Sequence, residues 1–340
     1  MADRAAKPKA GAKAKQPAAR VRSWPRRVQD RIEIGALRVL GAVMTRLPPR
    51  RASDMLAAGG GFLLPRLGFL RKRIERNLDL VRPDMPADER RRLAAGVGRH
   101  FSRAMLEYGT LDRIAADPSR LRHEGADPLA EAQAAGRGAI LVSAHFGQWE
   151  AVRLAARAAT GRDCAMVYRP YNNPHFDKWI NSLLHHAGGP VIPKGMHGTR
   201  DLLRHLGRGG MVMILVDQRQ TGAPLLPFLG REAETATVAA ELALRYGAAL
   251  IPARARRAED GLTFDVRFED EIPPSDPETM MARVNDRIGA WVEADPDQWL
   301  WLHGRWKRRA RGEQVRAARA EAEKAAAGKV AAGKTGPQGG

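Results

Sequence analysis

Apolar positions along the chain follow two patterns, helical in the first third and short and continuous thereafter. Residues 32–47 (IEIGALRVLGAVMTRL) form an apolar stretch interrupted by Arg38, closed by Pro48-Pro49 and preceded by Arg26, Arg27 and Arg31. A membrane-crossing helix needs about 20 apolar residues, so this stretch better suits a helix lying in, or dipping into, a bilayer interface. Residues 52–70 follow, with Gly59-Gly60-Gly61 and then FLLPRLGFL, flanked by Arg71, Lys72 and Arg73. Both segments also read as amphipathic helices packed on a core. From Arg73 to Leu111 the pattern is helical and polar, broken at RPDMPADE. There, Pro86 followed by acids marks a helix start, because proline needs no N–H in the first turn and the helix dipole favours carboxylates.

Further on, residues 138–144 (GAILVSA) are a short continuous apolar run, as expected of a strand buried on both faces. Similar runs recur at 164–168, 191–193, 211–216 and 249–253, with helical stretches between them at 149–159, 175–187, 198–206 and 234–246. This alternation predicts an α/β fold, a central mostly parallel or mixed sheet flanked by helices. Residues 262–268 (LTFDVRF) alternate like an edge strand, and 277–294 read as a last helix. The expected organisation is a basic tail at 1–27, a helical membrane-associating region at 28–112 serving as an N-terminal hydrophobic anchor, an α/β domain at 113–309, and a second basic tail at 310–340.

Charge adds a second layer. The formal net charge of the 340 residues is +19. Residues 1–31 carry ten Lys/Arg against Asp3 and Asp30, and residues 305–340 carry ten against Glu313, Glu321 and Glu323. Both ends are Ala/Lys/Gly/Pro-rich and bury too little apolar surface to offset the entropy of ordering, so they are predicted to be disordered. A flexible basic tail suits an anionic leaflet, nucleic acid, or mere solubilisation. Nothing in the core resembles a zinc finger or a ribonucleoprotein sheet motif, which argues against nucleic acid. Cys164 is the only cysteine, so neither an intrachain disulfide nor a cysteine zinc site is available. The basic start has no apolar run directly behind it and is not a cleavable secretory signal.

The stretch AILVSAHFGQWE (139–150) concentrates the candidate chemistry. His145 stands at the carboxyl end of an apolar strand, where ligand and catalytic groups of open α/β sheets gather. Gly147 permits a tight turn, and Glu150 falls in the first turn of the next helix, where the dipole favours a carboxylate. A carboxylate holding one imidazole nitrogen fixes the tautomer and stabilises the cation, which equips His145 for general-base work. Backbone N–H groups at the new helix terminus are available to hold an oxyanion. The plainer alternatives are a hydrogen-bonded strand-end histidine and a dipole-favoured acid. Arg169 suits bidentate phosphate or carboxylate binding, or a structural ion pair with an acid such as Asp217. Asp217 at the next strand end reads as polar scaffold of the pocket. His185-His186 lack a metal-ligand pattern, Ser143 lacks a nucleophile elbow, and Cys164 lacks an activating neighbour. Trp299, Trp301 and Trp306 fit an interfacial belt or core packing equally well.

The stretch SAHFGQWE resembles the H-x4-D/E signature of the glycerolipid acyltransferase superfamily, and within it the lipid A biosynthesis lauroyl/myristoyl acyltransferase family. Tyr168-Arg169-Pro170 with Asn173-Pro174 is similar to that family's YRP…NP block, and Val216-Asp217-Gln218 to its DQ block. Pro227-Phe228-Leu229-Gly230 with Thr235 and Thr237 is similar to its PFFG…T segment, and residues 296–307 (PDQWLWLHGRWK) to its closing block. Departures are Leu229 in place of a second aromatic, a short loop at 219–226, and Gly304 in place of a frequent basic residue. The resemblance spans residues 28–309. It implies acyl transfer from acyl carrier protein, or from coenzyme A as alternative co-substrate, to a hydroxyl of a glucosamine-based lipid A precursor. His145 and Glu150 would be catalytic and Arg169 and Asp217 substrate-binding, with neither metal nor cofactor. The implied partners are acyl carrier protein, a phosphorylated glycolipid acceptor and anionic inner-membrane lipids, with no nucleic acid. The implied location is the cytoplasmic face of the inner membrane, N-terminally anchored or monotopic. Alternatives are the same chemistry on a phosphatidylinositol mannoside, lysophospholipid or ornithine lipid, or a non-enzymatic basic tether.

Overall fold

The computed structural model describes residues 24–306; the two basic tails fall outside the described residues except for 24–27. Five helices come first: α1 (Trp24–Met44), α2 (Pro49–Leu63), α3 (Gly68–Val81), α4 (Ala87–Glu107) and α5 (Leu111–Ala115). The α/β part then runs β1 (Leu121–Glu124), α6 (Asp127–Ala134), β2 (Ala139–Ser143), α7 (Glu150–Thr160), β3 (Cys164–Tyr168), α8 (Pro174–Leu184), β4 (Val191–Pro193), α9 (Met196–Leu206) and β5 (Met211–Leu215). A hairpin of β6 (Leu225–Phe228) and β7 (Arg231–Glu234) follows, then α10 (Val238–Tyr246), β8 (Ala249–Arg257), β9 (Phe264–Phe268) and α11 (Pro277–Ala294).

Seven strands form one sheet in the order β1-β9-β8-β2-β5-β3-β4, with β6 and β7 apart as a two-stranded ribbon. β2 lies between β8 and β5, parallel to both, and all five of its residues are buried. That central place is why its sequence is an unbroken apolar run. Only the β8–β9 pairing within this sheet is antiparallel, so the predicted mostly parallel sheet is present. β9 was expected at an edge, but β1 pairs beyond it and takes the edge instead.

Side chains alternate across the sheet into two cores. Ile140 and Val142 join Val212, Leu250, Ile74, Leu93, Val97 and α11 residues on one face. Leu141, Met213 and Ile251 join Leu111, Leu154, Ala155 and Ile180 on the other. α4 contributes to both: Leu93, Ala94 and Val97 to the first, Ala104 and Tyr108 just after its end to the second. The early helices and the strands bury one another in both cores. Among the described residues no helix is long and apolar enough to cross a membrane.

Two caps and one close approach explain local sequence. Asn173 accepts hydrogen bonds from the N–H groups of His175 and Phe176, and Asp276 accepts one from Thr279, starting α8 and α11. α4 begins after Pro86 with Asp88 and Glu89 in its first turn, as the sequence predicts. α2 and α4 touch through glycines: a Cβ on Gly98 would stand 2.2 Å from the Gly60 carbonyl oxygen. Gly98→Ala is therefore expected to push the helices apart and lower stability by about 1–3 kcal/mol, as overpacking of a tight contact does. The shift in the denaturant midpoint measures it.

Candidate active site

The loop after β2 is built residue by residue. His145 donates its backbone N–H to Asp217 Oδ2 at 2.9 Å, and its Nδ1 lies 2.8 Å from Asp217 Oδ1. Phe146 is buried and bridges to Trp299. Gly147 turns the chain at φ 54°, where a Cβ would lie 1.9 Å from the Ala255 carbonyl oxygen, so only glycine fits. Gln148 donates to the Ala104 carbonyl and to Glu107, which in turn receives both Arg257 terminal nitrogens at 2.6 Å. Trp149 donates its indole N–H to the Tyr108 hydroxyl at 2.7 Å.

Asp217 follows β5, the parallel neighbour of β2. Ser143 pairs with Leu215, so the residues two positions beyond each strand, His145 and Asp217, meet above the sheet. The carboxylate is fully buried, while the imidazole is 15% exposed. A third bond reaches Asp217 Oδ2 from the Trp299 indole N–H at 2.9 Å. Burial raises the carboxyl pKa, but the charge on His145, its two hydrogen bonds and the charge on His303 outweigh that and hold it well below the usual carboxylate range.

The pairing expected from sequence is thereby corrected. The described hydrogen bonds of Glu150 go elsewhere: to Arg153 at 2.8 Å, both side chains fully buried, and at 3.5 Å from the Tyr108 hydroxyl. Arg153 also donates to the carbonyls of Cys164, Leu184 and Gly188, which ties Glu150 inward. Burial raises the Glu150 pKa against the opposing pull of Arg153 and, through space, of His145. The imidazole partner is Asp217, the residue read as scaffold. Nor does Asp217 pair with Arg169, which stands exposed at the carboxyl end of β3, two strands from β2.

Most backbone donors expected to be free at the helix terminus are already in use, that of Trp149 having no described acceptor. Phe146 N–H goes to Ala144, Gly147 N–H to Gln298, Gln148 N–H to Ala255, and Glu150 N–H to the Gln148 side chain. Burial pushes the Cys164 thiol up to about 12, which removes it as a nucleophile. Trp299, Trp301 and Trp306 are buried, so they are core and not an interfacial belt. Beside His145 runs a crevice of about 10 Å³, lined by Val97, His100, Phe101, Trp149 and Leu300. A roomier cavity of about 580 Å³, lined by Leu244, Leu250, Ile272 and Met280, lies at the amino ends of β2 and β8, away from this chemistry. No cluster of three or more metal-ligating side chains exists among the described residues.

The sequence reading missed His303, although it lies in the quoted closing block. Its ring centroid is 4.7 Å from that of His145. Trp149 approaches the same imidazole edge-on at 5.1 Å. Nδ1 of His145 is occupied by Asp217, and no described hydrogen bond uses Nε2. An imidazole so arranged is able to take a proton from a hydroxyl and to carry the resulting charge against a buried carboxylate.

A protein that joins this sheet to an imidazole–carboxylate pair has the equipment of a general-base enzyme acting on hydroxyls, and comparison with known proteins makes the class specific. Residues 21–308 match the family described as bacterial lipid A biosynthesis acyltransferase. A lipid A biosynthesis lauroyltransferase of Escherichia coli (strain K12) is 30% identical over 265 residues, covering 72% of this chain and 83% of the relative. A lipid A biosynthesis palmitoleoyltransferase of the same strain is 29% identical over 270 residues, covering 74% and 86%. A lipid A biosynthesis acyltransferase of Haemophilus influenzae is 24% identical over 256 residues, covering 72% and 78%. The chain belongs to this family of O-acyltransferases.

Two half-buried imidazoles make its stability pH-dependent. Burial and the nearby arginines, Arg257 foremost, lower the His100 pKa from 6.5 to about 3; burial and His145 lower that of His303 to about 4. The unfolded chain protonates these groups near 6.5, whereas the folded protein keeps them neutral, so their contribution is complete above that pH. It is lost as pH falls from 6.5 towards about 4 and then about 3. The thermal midpoint is expected to drop between pH 7 and pH 5, with a shallower slope in His100→Phe, measured by scanning calorimetry.

Proposed function

We propose that this protein transfers a fatty acyl chain from an acyl carrier protein thioester to a hydroxyl of a glucosamine-based lipid A precursor, with His145 as general base. The observation that carries this reading is the contact of His145 Nδ1 with the buried Asp217 carboxylate, which leaves Nε2 to the substrate. In the proposed reaction the acceptor O–H gives its proton to Nε2 as its oxygen attacks the thioester carbonyl carbon. The carbonyl electron pair moves onto oxygen, giving a tetrahedral intermediate. Its collapse breaks the C–S bond, and the imidazolium returns the proton to the departing thiolate. Asp217 fixes the tautomer and stabilises the imidazolium. Glu150 adds negative charge near the imidazolium through space and orders the start of α7 through Arg153. The chemistry needs neither metal nor cofactor.

The names of the relatives support the lipid A precursor as acceptor. Arg169, exposed beside Lys194 at the carboxyl ends of β3 and β4, suits an anionic group of the phosphorylated acceptor or the acidic carrier protein. Helices α1–α3 supply a surface for the inner membrane. Ile32, Val39, Met55, Phe62, Leu63 and Phe69 are each more than half exposed. Arg31, Arg38, Arg46, Arg50, Arg66, Arg71 and Lys72 are exposed among them. Apolar side chains interleaved with cations fit a monotopic protein lying on an anionic leaflet.

Two experiments test these readings. His145→Ala and Asp217→Asn are each expected to lower kcat at least ~100-fold with carrier-bound acyl donor and lipid A precursor. Wild-type turnover by either variant would end the general-base reading. A Phe62→Glu, Phe69→Glu double variant of the full chain is expected to lose at least ~10-fold in binding to vesicles containing anionic phospholipid. Unchanged cosedimentation would rule out docking through these helices.

A further inference from the structure

Acyl transfer creates negative charge on the carbonyl oxygen, and a donor must meet it. In this chain most backbone donors at the expected place are already in use, and of the N–H groups from His145 to Glu150 only that of Trp149 has no described acceptor. The N–H groups of His145, Phe146, Gly147 and Gln148 are all committed, to Asp217, Ala144, Gln298 and Ala255. Arg169 is two strands away from β2. A polar side chain whose ring stands 4.7 Å from that of His145, and which no described bond spends on holding it, is His303.

We propose that His303 is a catalytic residue whose ring N–H donates to the carbonyl oxygen of the acyl thioester as that oxygen becomes an oxyanion beside His145. The inference rests on the general-base reading above and adds a second imidazole to it. Three observations carry it.

The first is position. The closing segment is fastened to the His145 loop by Leu300 N–H on the His145 carbonyl and by the Trp299 indole on Asp217. Buried Asn77 on α3 donates to the carbonyls of both Trp301 and His303 at 2.7 Å, fixing the backbone that presents the ring. With centroids 4.7 Å apart, one reacting group can meet both imidazoles.

The second is the tautomer. His303 Nε2 lies 3.3 Å from Gln218 Nε2. With Gln218 placed this way the amide donates and the ring nitrogen accepts, which puts the ring proton on Nδ1. No described hydrogen bond occupies that N–H.

The third is charge. Of the groups that act on this ring, His145 and Arg73 oppose a cation and Asp217 favours one. Burial adds to the opposition, so His303 is neutral at neutral pH. A neutral imidazole can polarise a carbonyl without repelling the imidazolium that forms on His145 during turnover.

Replacing the donor while keeping the ring separates this role from packing. His303→Phe is expected to lower kcat about 100- to 1,000-fold with KM for the acyl donor within about threefold, as loss of one oxyanion donor does. His303→Asn, whose amide N–H can stand in for Nδ1, is expected to retain at least about a tenth of wild-type kcat. If His303→Phe does not fold, His303→Leu is compared with the near-isosteric His303→Asn, and the donor-bearing variant must be at least tenfold faster. A folded His303→Phe with near-wild-type kcat, or equal rates for Asn and Leu, overturns the proposal. His145→Ala is run alongside: if it is inactive while His303→Phe turns over normally, only the role of His303 fails; if it is active, the general-base reading fails.

Discussion

A single buried carboxylate organises the site. Asp217 accepts the His145 backbone N–H, contacts the His145 ring and accepts the Trp299 indole N–H, so three chain segments converge on two oxygen atoms. A carboxylate taken out of water is tolerable only when such partners replace the water. The requirement works in both directions. The partners hold Asp217 ionised, and Asp217 holds the loop after β2 against the segment that closes the fold. That segment is secured at its other end by Arg305, fully buried, which donates to the Glu234 carbonyl, Thr235 and Asn285. The threonine and arginine of two separate sequence blocks thus belong to one polar cluster behind the site.

Much of the fold is legible because burial leaves a simple signature. β2, β3 and β5 are apolar along most of their length because neighbours cover them on both faces and both edges. The two strand features that escaped are those lacking this signature. β1 (LRHE) sits at the sheet edge with only Leu121 buried, so its pattern is that of a loop. The β6–β7 hairpin turns at Leu229-Gly230, with φ 49° and 71°. Such a turn is ordinarily marked by Asn-Gly or Asp-Gly, and a leucine in the left-handed region gives no turn signal. The same Leu229 stood out as a departure from the family pattern, and its backbone shows where the departure falls.

The site was half legible, for a topological reason. His145 follows from its place after a buried strand. Its partner does not, because closeness in sequence favoured Glu150, whereas closeness in space is set by strand order. β3 and β4 intervene in the chain between β2 and β5, yet β5 lies directly beside β2. In a parallel pair, equal distances past paired residues land together, and His145 and Asp217 are each two residues beyond the Ser143–Leu215 pair. Sequence alone does not give that register. Glu150, one residue into α7, points inward because Arg153 lies one helical turn ahead on the same face. Its charge therefore reaches the imidazole through protein and not through a hydrogen bond.

The early helices belong to this arrangement as much as the sheet does. α4 holds the His145 loop through Glu107 and Gln148, with Arg257 of β8 closing the buried ion pair. α3 holds the His303 backbone through Asn77. The same run of helices carries most of the exposed large apolar side chains among the described residues. One surface of α1–α3 is thus suited to lipid while residues on α3 and α4 set the geometry of the imidazoles. The crevice beside His145 is walled on one side by Val97, His100 and Phe101 of α4, the helix against which α2 packs. Removing those helices as a dispensable anchor would accordingly dismantle the site, since Asn77, Glu107 and Tyr108 would leave with them.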